Sequence, residues 1–372
     1  MLTRAGCQTR QDRFRAFLSS QDIDAAVVSD PRDIQYLTGV QLPTVPAFPA
    51  LLYLETDGGS WLATHTTDGD ALVDDRVIYE PQLLYTTNPD PMRRLARTVA
   101  ARASGVRPPR RLGWQAEALP HLLGETLADA ARPAGWVPID GGLAMLEKRK
   151  EADEIALLRR AIDCTLASYD ANRSTIASGV TEVAVLAAGH AAATLRAGET
   201  IHHGGDYRCG EFGGPARDRA INPGELYIID AQTLYRGYWA DLCRTFAVAD
   251  PTPLQREVFD HLAAILAEVP TRIKPGERGT ELWRWLDRRI REHPHLRQVG
   301  LIHHGGHGVG LRSHEAPDIN RDREGIFEPG DVVSCEPGAY TPALNAGIRL
   351  ENTFFVTATG CELLSDYPVA LT

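Results

Sequence analysis

The sequence predicts two domains, an α/β domain over residues 1–146 and an α+β domain over residues 147–372 that carries an internal pseudo-two-fold repeat. Three observations point there. The chain has 372 residues, and at roughly 150 residues per domain that length calls for two cores. Through the first part, short apolar runs alternate with amphipathic stretches, and alternating strand and helix is the economical solution for such a pattern. In the second part Ile201-His202-His203-Gly204-Gly205 returns as Ile302-His303-His304-Gly305-Gly306. A five-residue echo is slight evidence of duplication alone, and gains weight because a similar strand pattern follows each copy.

Taken in order, residues 12–19 read as a short amphipathic helix with Phe14, Phe17 and Leu18 inward. The apolar run Ala25-Ala26-Val27-Val28 then forms a strand that ends at Asp30-Pro31. After Tyr36-Leu37-Thr38-Gly39 comes a strand over Leu51-Leu52-Tyr53-Leu54, stopped by Asp57-Gly58-Gly59, and a helix over 90–103. The Arg107-Pro108-Pro109-Arg110-Arg111 segment is loop-like, yet Leu112-Gly113-Trp114 reads as one more strand, so the domain closes near Gly141-Gly142. From Lys148, Ile155, Leu158, Ile162, Leu166 and Tyr169 recur at helical spacing behind a charged start, which marks the boundary. Further helices are expected over 182–195, 253–269 and 280–292, between glycine-rich strands.

Composition excludes several functions. Lys plus Arg number 39 against 49 Asp plus Glu, a net charge of −10, which argues against a nucleic-acid surface and suits an acidic enzyme that holds cations. The six cysteines form no C-x-x-C pair, so neither a zinc ribbon nor a disulfide framework is suggested, and they read as reduced thiols of a cytoplasmic protein. No apolar signal region follows the N-terminus, and the longest apolar stretch, over 47–54, falls far short of the ~20 residues a spanning helix requires. No membrane contact is expected.

The chemistry sits in four acids and a histidine. Two β-rich runs, Glu225-Leu226-Tyr227-Ile228-Ile229-Asp230 and Tyr238-Trp239-Ala240-Asp241-Leu242-Cys243, flank a turn at Arg236-Gly237 and read as a hairpin. With a loop over 234–237, Asp230 stands directly opposite Asp241. Carboxylates that close repel unless a cation or a shared proton lies between them. Later, Asp331-Val332-Val333-Ser334-Cys335-Glu336-Pro337-Gly338 and Gly347-Ile348-Arg349-Leu350-Glu351-Asn352 allow Glu336 and Glu351 to face each other across a longer loop. Two such hairpins supply oxygen ligands for two divalent ions once a nitrogen is added. The nitrogen is available at His307, in a run whose glycines at 305, 306, 308 and 310 permit close backbone approach. Cys243 and Cys335 are assigned by strand alternation to the face away from Asp241 and Glu336, in packing roles. A single Asp such as Asp230 is more often a turn or edge residue, and the joint pattern is what favours metal.

At this point a resemblance becomes specific. Asp230-x10-Asp241, Gly306-His307-Gly308-Val309-Gly310 with His314 seven residues on, Cys335-Glu336-Pro337-Gly338 and Arg349-Leu350-Glu351-Asn352 stand in the order typical of the methionine aminopeptidase/prolidase metallopeptidases, family M24, with the pita-bread fold. Within it the pattern looks most like the Xaa-Pro dipeptidase (prolidase) and Xaa-Pro aminopeptidase branch, whose creatinase-like N-terminal domain the Tyr36-Leu37-Thr38-Gly39 region also resembles. The resemblance spans nearly the whole chain, with its strong motifs in the second half.

Residue by residue, the resemblance implies that Asp230 chelates one metal, that Asp241 and Glu351 bridge both, and that His307 and Glu336 hold the second. Glu336 doubles as proton acceptor for a water made nucleophilic by two divalent cations, Mn2+ foremost, with Co2+, Zn2+ or Fe2+ as alternatives. His314 contacts the scissile carbonyl and its developing charge. His303 and Arg349 match substrate-side residues, although Arg349 also has a structural reading as a counter-charge for the cluster. The implied activity is removal of an N-terminal residue from a short Xaa-Pro peptide by a metal-bound hydroxide, in a homodimer. There is one departure. Relatives place a substrate-side histidine about seventeen or eighteen residues before the first metal aspartate, where this chain has Phe212-Gly213-Gly214-Pro215-Ala216-Arg217. His202 or His203 is the candidate substitute. The departure supports a second reading, a non-peptide amide or C–N hydrolase of creatinase-like or ectoine-hydrolase-like type acting on a small amide. A third is a catalytically silent binding protein of the same fold.

Overall fold

The computed structural model describes residues 1–42, 48–67, 69–80 and 90–372, with backbone alone at 82–83 and 86–87. Ala47, which opens the apolar stretch over 47–54, lies outside them. The chain divides into two compact units, Met1–Glu147 and Lys148–Thr372.

The first unit is built on a six-stranded mixed sheet in the order Asp75–Ile78, Ser60–Thr64, Leu51–Glu55, Ala25–Val28, Arg111–Trp114, Gly135–Pro138. Ala25–Val28 runs antiparallel to Leu51–Glu55 and parallel to Arg111–Trp114, so the sheet changes sense at its centre. One core joins Val27, Tyr53, Trp61 and Leu112 of the sheet to Leu95, Val99, Leu123 and Leu127 of the helices Pro91–Ala103 and His121–Ala130. The first helix is longer than the sequence predicts, Arg4–Ser20 rather than 12–19, with Phe14 and Leu18 buried and Phe17 half-buried. Its early turns are polar but satisfied. Gln11 Nε2 donates to Leu37 O and Leu72 O, and Thr3 caps the amide of Gly6, so burial there leaves no hydrophobic periodicity to read.

The second unit runs helix, helix, sheet, and then repeats that order. Ala152–Thr175 opens on a capping box between Glu151 and Glu154, and Glu182–Ala197 is capped by Thr181. A three-stranded antiparallel sheet follows, His202–Cys209 against Leu226–Tyr235 against Tyr238–Ala247. In the second half Pro253–Glu268 begins with a Thr252/Gln255 capping box and is followed by Gly279–Arg291. These helices precede a five-stranded sheet in the order Glu315–Ile319, Gly306–Gly308, Val332–Cys335, Asn352–Val356, Cys361–Leu363, and a ribbon of Gly338–Thr341 with Ala346–Arg349. Each sheet packs on its own helices: Tyr169 and Val185 on Tyr227, Ile229 and Leu242 in the first half, and Leu262, Leu286 and Ile290 on Val333, Phe354 and Val356 in the second.

The register of the first hairpin corrects one expectation. Its loop is the two residues Arg236 and Gly237, both at positive φ (46° and 88°), the primed pattern that suits right-twisted strands. Asp230 therefore pairs with Cys243, and Asp241 with Gln232, so the two aspartates stand diagonally rather than directly opposite. A shift of two residues keeps every side chain on its face. Cys243, two residues from Asp241 on the same strand, shares its face in any register and does not lie on the other side as expected; its Sγ is 3.5 Å from Arg349 O. In the second hairpin Cys335 pairs with Asn352 and Gly338 with Arg349, which leaves Glu336 and Glu351 at the intervening step, facing each other. Among the described residues no helix is long and apolar enough to cross a membrane, and Cys7, Cys164, Cys209, Cys243, Cys335 and Cys361 form no disulfide.

Candidate metal centre

The two hairpins of the second unit and the strand Gly306–Gly308 deliver the predicted acids and the histidine to one buried place. Asp241, on Tyr238–Ala247, is 2 % exposed, Glu351 1 %, and Glu336 and His307 5 % each. His307 Nε2 lies 3.8 Å from Asp241 Oδ2 and 3.6 Å from Glu336 Oε1. Asp241, His307 and Glu351 each offer a donor atom within 4.8 Å of the others. The glycine run allows this approach: Gly306 has φ 143°, and a Cβ there would collide with the carbonyl of Ser334 on the neighbouring strand.

Supports behind these groups fix their aim. Gln232 Nε2 donates to Asp241 Oδ2 at 3.0 Å, and Thr353 Oγ1 donates to Asp241 O at 2.7 Å. The Glu351 amide donates to Cys243 O at 3.0 Å, and His307 Nδ1 sits 3.0 Å from Gly308 O, which turns Nε2 toward the acids. The Arg244 guanidinium, almost fully buried, bonds the carbonyls of Cys243, Glu351 and Tyr367 and so ties the first hairpin to the second.

Electrostatics at the cluster is unfavourable to its own charges. Burial, reinforced by the Glu351 carboxylate, holds Asp241 and Glu336 well above the usual carboxylate range. Glu351 is pushed up to about 8, by burial first and Asp230 second. Burial also drives His307 down to about 3 and keeps its imidazole neutral. Four carboxylate oxygens there, Asp230 Oδ1, Asp241 Oδ1 and both of Glu351, are buried without a hydrogen-bond partner among the described residues. Acceptors left bare at that depth are costly, and hard divalent cations are the partners that such a donor set fits.

Around this core stand the remaining predicted residues. His314 is exposed and stacks on His307, centroids 3.8 Å apart. His303 Nδ1 is 3.9 Å from Glu336 Oε2, and its Nε2 is 3.1 Å from the Tyr340 hydroxyl. Arg349 Nη2 donates to Asp230 Oδ2 at 2.7 Å and also to Asp206 Oδ2 at 2.6 Å. His202 and His203 stand elsewhere. His203 faces inward between Thr233 Oγ1 and the Tyr207 hydroxyl, both at 2.9 Å, and His202 packs on Trp239.

The sequence of the second unit matches the family model described as Metallopeptidase family M24 over residues 156–358, more than half of the chain. The chain belongs to metallopeptidase family M24. The Creatinase/Prolidase N-terminal domain model matches residues 10–147. A Xaa-Pro dipeptidase of Lactobacillus delbrueckii subsp. lactis is 26% identical, over 94% of each chain. An uncharacterized peptidase of Bacillus subtilis is 27% identical over 70% of this chain and 74% of its own length. The solved prolidase of Pyrococcus horikoshii OT3 superposes with a TM-score of 0.78 at 21% identity, covering 98% of this chain and 100% of the other. This M24 member thus has a creatinase-like α/β domain and a pita-bread α+β domain, and it is a hydrolase of the peptidase class with candidate ligand groups for divalent metal.

Sequence reasoning missed several residues that stand around this acid cluster. Asp206 pairs across strands with Asp230, and only the register of the third strand, His202–Cys209, reveals it. His304 has Nδ1 3.3 Å from Glu336 Oε1 and was visible only as half of a repeated His-His pair. Tyr340 and Gln232 carry no motif, and only the hairpin registers bring them in.

Proposed function

We propose that this chain is a dinuclear-metal-dependent Xaa-Pro peptidase that removes the N-terminal residue of a short Xaa-Pro peptide. The observation that carries the reading is the set of buried carboxylate oxygens of Asp230, Asp241 and Glu351 that find no hydrogen-bond partner among the described residues, beside a neutral His307. Asp230 would hold one divalent ion, His307 and Glu336 the other, and Asp241 and Glu351 both. Two divalent ions, when bound, supply positive charge to the scissile carbonyl and lower the pKa of water. Mn2+ is the first ion to try, with Co2+, Zn2+ and Fe2+ as alternatives for such a mixed oxygen and nitrogen set.

The chain's own groups then divide the work. Glu336, whose environment raises its proton affinity, accepts the proton of the attacking water and passes it to the leaving nitrogen. His314, exposed at the mouth and stacked on His307, donates a hydrogen bond to the carbonyl oxygen as negative charge develops there. His303, held by the Tyr340 hydroxyl, lines the substrate side next to Glu336.

A second reading, hydrolysis of a small non-peptide amide, is favoured by one feature. No histidine stands over 212–217, and His203 is committed to Thr233 and Tyr207. Metal-reconstituted protein assayed on Xaa-Pro dipeptides, longer Xaa-Pro peptides and small N-acyl compounds separates the two. Xaa-Pro peptides are expected to be hydrolysed, with Asp241→Ala slower by on the order of a thousandfold, several kcal/mol of lost stabilisation. Turnover of the N-acyl compounds alone would reject the peptidase reading, and an unimpaired variant would reject the site.

A further inference from the structure

Arg349 is a cation beside the acid cluster that a substrate's free carboxylate could meet, and its charge is already committed. Its Nη2 donates to Asp230 at 2.7 Å and to Asp206 at 2.6 Å, and its Nη1 lies 3.4 Å from the Tyr340 hydroxyl. The Arg349 side chain is only 12 % exposed, whereas Asp206 is 33 % exposed. A group entering the cleft therefore meets the carboxylate of the pair before the guanidinium. With metal on Asp230, Asp206 alone still cancels the arginine's charge.

The backbone is arranged to permit this pairing. Asp206 stands directly across from Asp230 in the sheet, a like-charge pairing that Arg349 relieves. The residue seventeen before Asp230, near where relatives carry a histidine, is Gly213 at φ 150°. A Cβ on Gly213 would collide with Asp206 Oδ2 and would sit 3.7 Å from Arg349 Nη2. Glycine thus vacates the space that the carboxylate occupies. Next to it, Phe212 stacks edge-on against Tyr340, with centroids 5.4 Å apart. A cavity of ≈ 290 Å³ opens there, lined by Gly210, Glu211, Phe212, Gly213, Thr341 and Pro342 among others. It has room for another residue and presents no free cation from that lining.

We infer that Asp206 is a specificity-determining residue: by neutralising Arg349 it turns the cleft away from substrates whose second residue ends in a free carboxylate, and toward Xaa-Pro peptides that continue past proline. The inference rests on the peptidase reading above and selects the aminopeptidase form of it over the dipeptidase form.

The test pairs binding with turnover on metal-loaded protein. Calorimetric titration compares acetyl-Ala-Pro with acetyl-Ala-Pro-amide, ligands alike except for the terminal charge, and kcat/KM is measured for Ala-Pro, Ala-Pro-amide and Ala-Pro-Ala. The amide is expected to bind at least about fivefold tighter than the acid, the size of one weakly screened charge contact. Asp206→Asn narrows that ratio to under about twofold by strengthening the acid, and Asp206→Glu restores it. In turnover the same narrowing appears in KM rather than in kcat. Gly213→Ala, which crowds Asp206 without removing a charge, provides a second variant and is expected to narrow the ratio as well. Equal or tighter binding of the acid by wild type, a ratio unmoved in the variants, or no binding of either ligand overturns the inference. Failure to hydrolyse any Xaa-Pro substrate while the binding ratio still shifts overturns the peptidase reading instead.

Discussion

Glu351 shows what the acid cluster costs when it is left to itself. Its folded pKa, about 8, stands above the ordinary carboxylate value because it is buried beside Asp230, and Asp241 and Glu336 move the same way. A raised folded pKa contributes stability below the unfolded value, and that stability is lost as pH rises through the folded value. The buried histidines His203, His303 and His307, all driven to about 3, have the opposite sign and gain stability as pH rises to about 6.5. Between about pH 6.5 and 8 the carboxylates therefore act alone. Metal-free protein is expected to lose stability across that window, by up to about 1.4 kcal/mol per pH unit for each proton the fold retains. Denaturant titrations at several pH values measure it: Glu351→Gln should flatten the slope, and added Mn2+ should abolish it. Stability rising with pH in the chelated protein would contradict this account. At this scale the five candidate ligands were legible because each sits in a local motif. Asp206 and His304 were not, since their place depends on which strand lies beside which.

The hairpin of Leu226–Tyr235 and Tyr238–Ala247 shows why a wrong register still led to the right cluster. Counting the loop as 234–237 moved the pairing by two residues, and a shift of two leaves both aspartates on one face. A shift of one would have sent Asp230 and Asp241 to opposite sides. Cys243 was misplaced independently of the register, since it sits two residues from Asp241 on one strand and so shares its face. The actual loop depends on positive φ at Arg236 and Gly237. Gly237→Ala is expected to destabilise the second unit by roughly 1–2 kcal/mol through the left-handed backbone alone, and urea unfolding reads it directly. A neutral outcome would mean that the turn does not set the register. Helices with regular apolar spacing, such as Pro253–Glu268, were legible almost to their ends. The first helix was underestimated because Arg10 and Gln11 are buried by hydrogen bonds rather than by hydrophobic pattern.

Across the whole molecule the candidate metal centre lies in the second unit, where helix, helix and sheet occur twice and each copy contributes one carboxylate hairpin. The echo of His202-His203 in His303-His304 was a true pointer to this order, yet the copies have diverged in use. The first pair lies in a strand, with His203 in a buried polar network, and the second lines the acids. The convergence of Asp230 and Glu351 was already implied by the resemblance, whereas the strand pairings that bring them together across the two sheets were not legible. Crystals grown with Mn2+ and measured by anomalous scattering test that convergence most directly. Two peaks about 3.5–4 Å apart, enclosed by Asp230, Asp241, His307, Glu336 and Glu351, are the predicted result. A map with no peak among these side chains, or with ions bound only elsewhere on the chain, would contradict it.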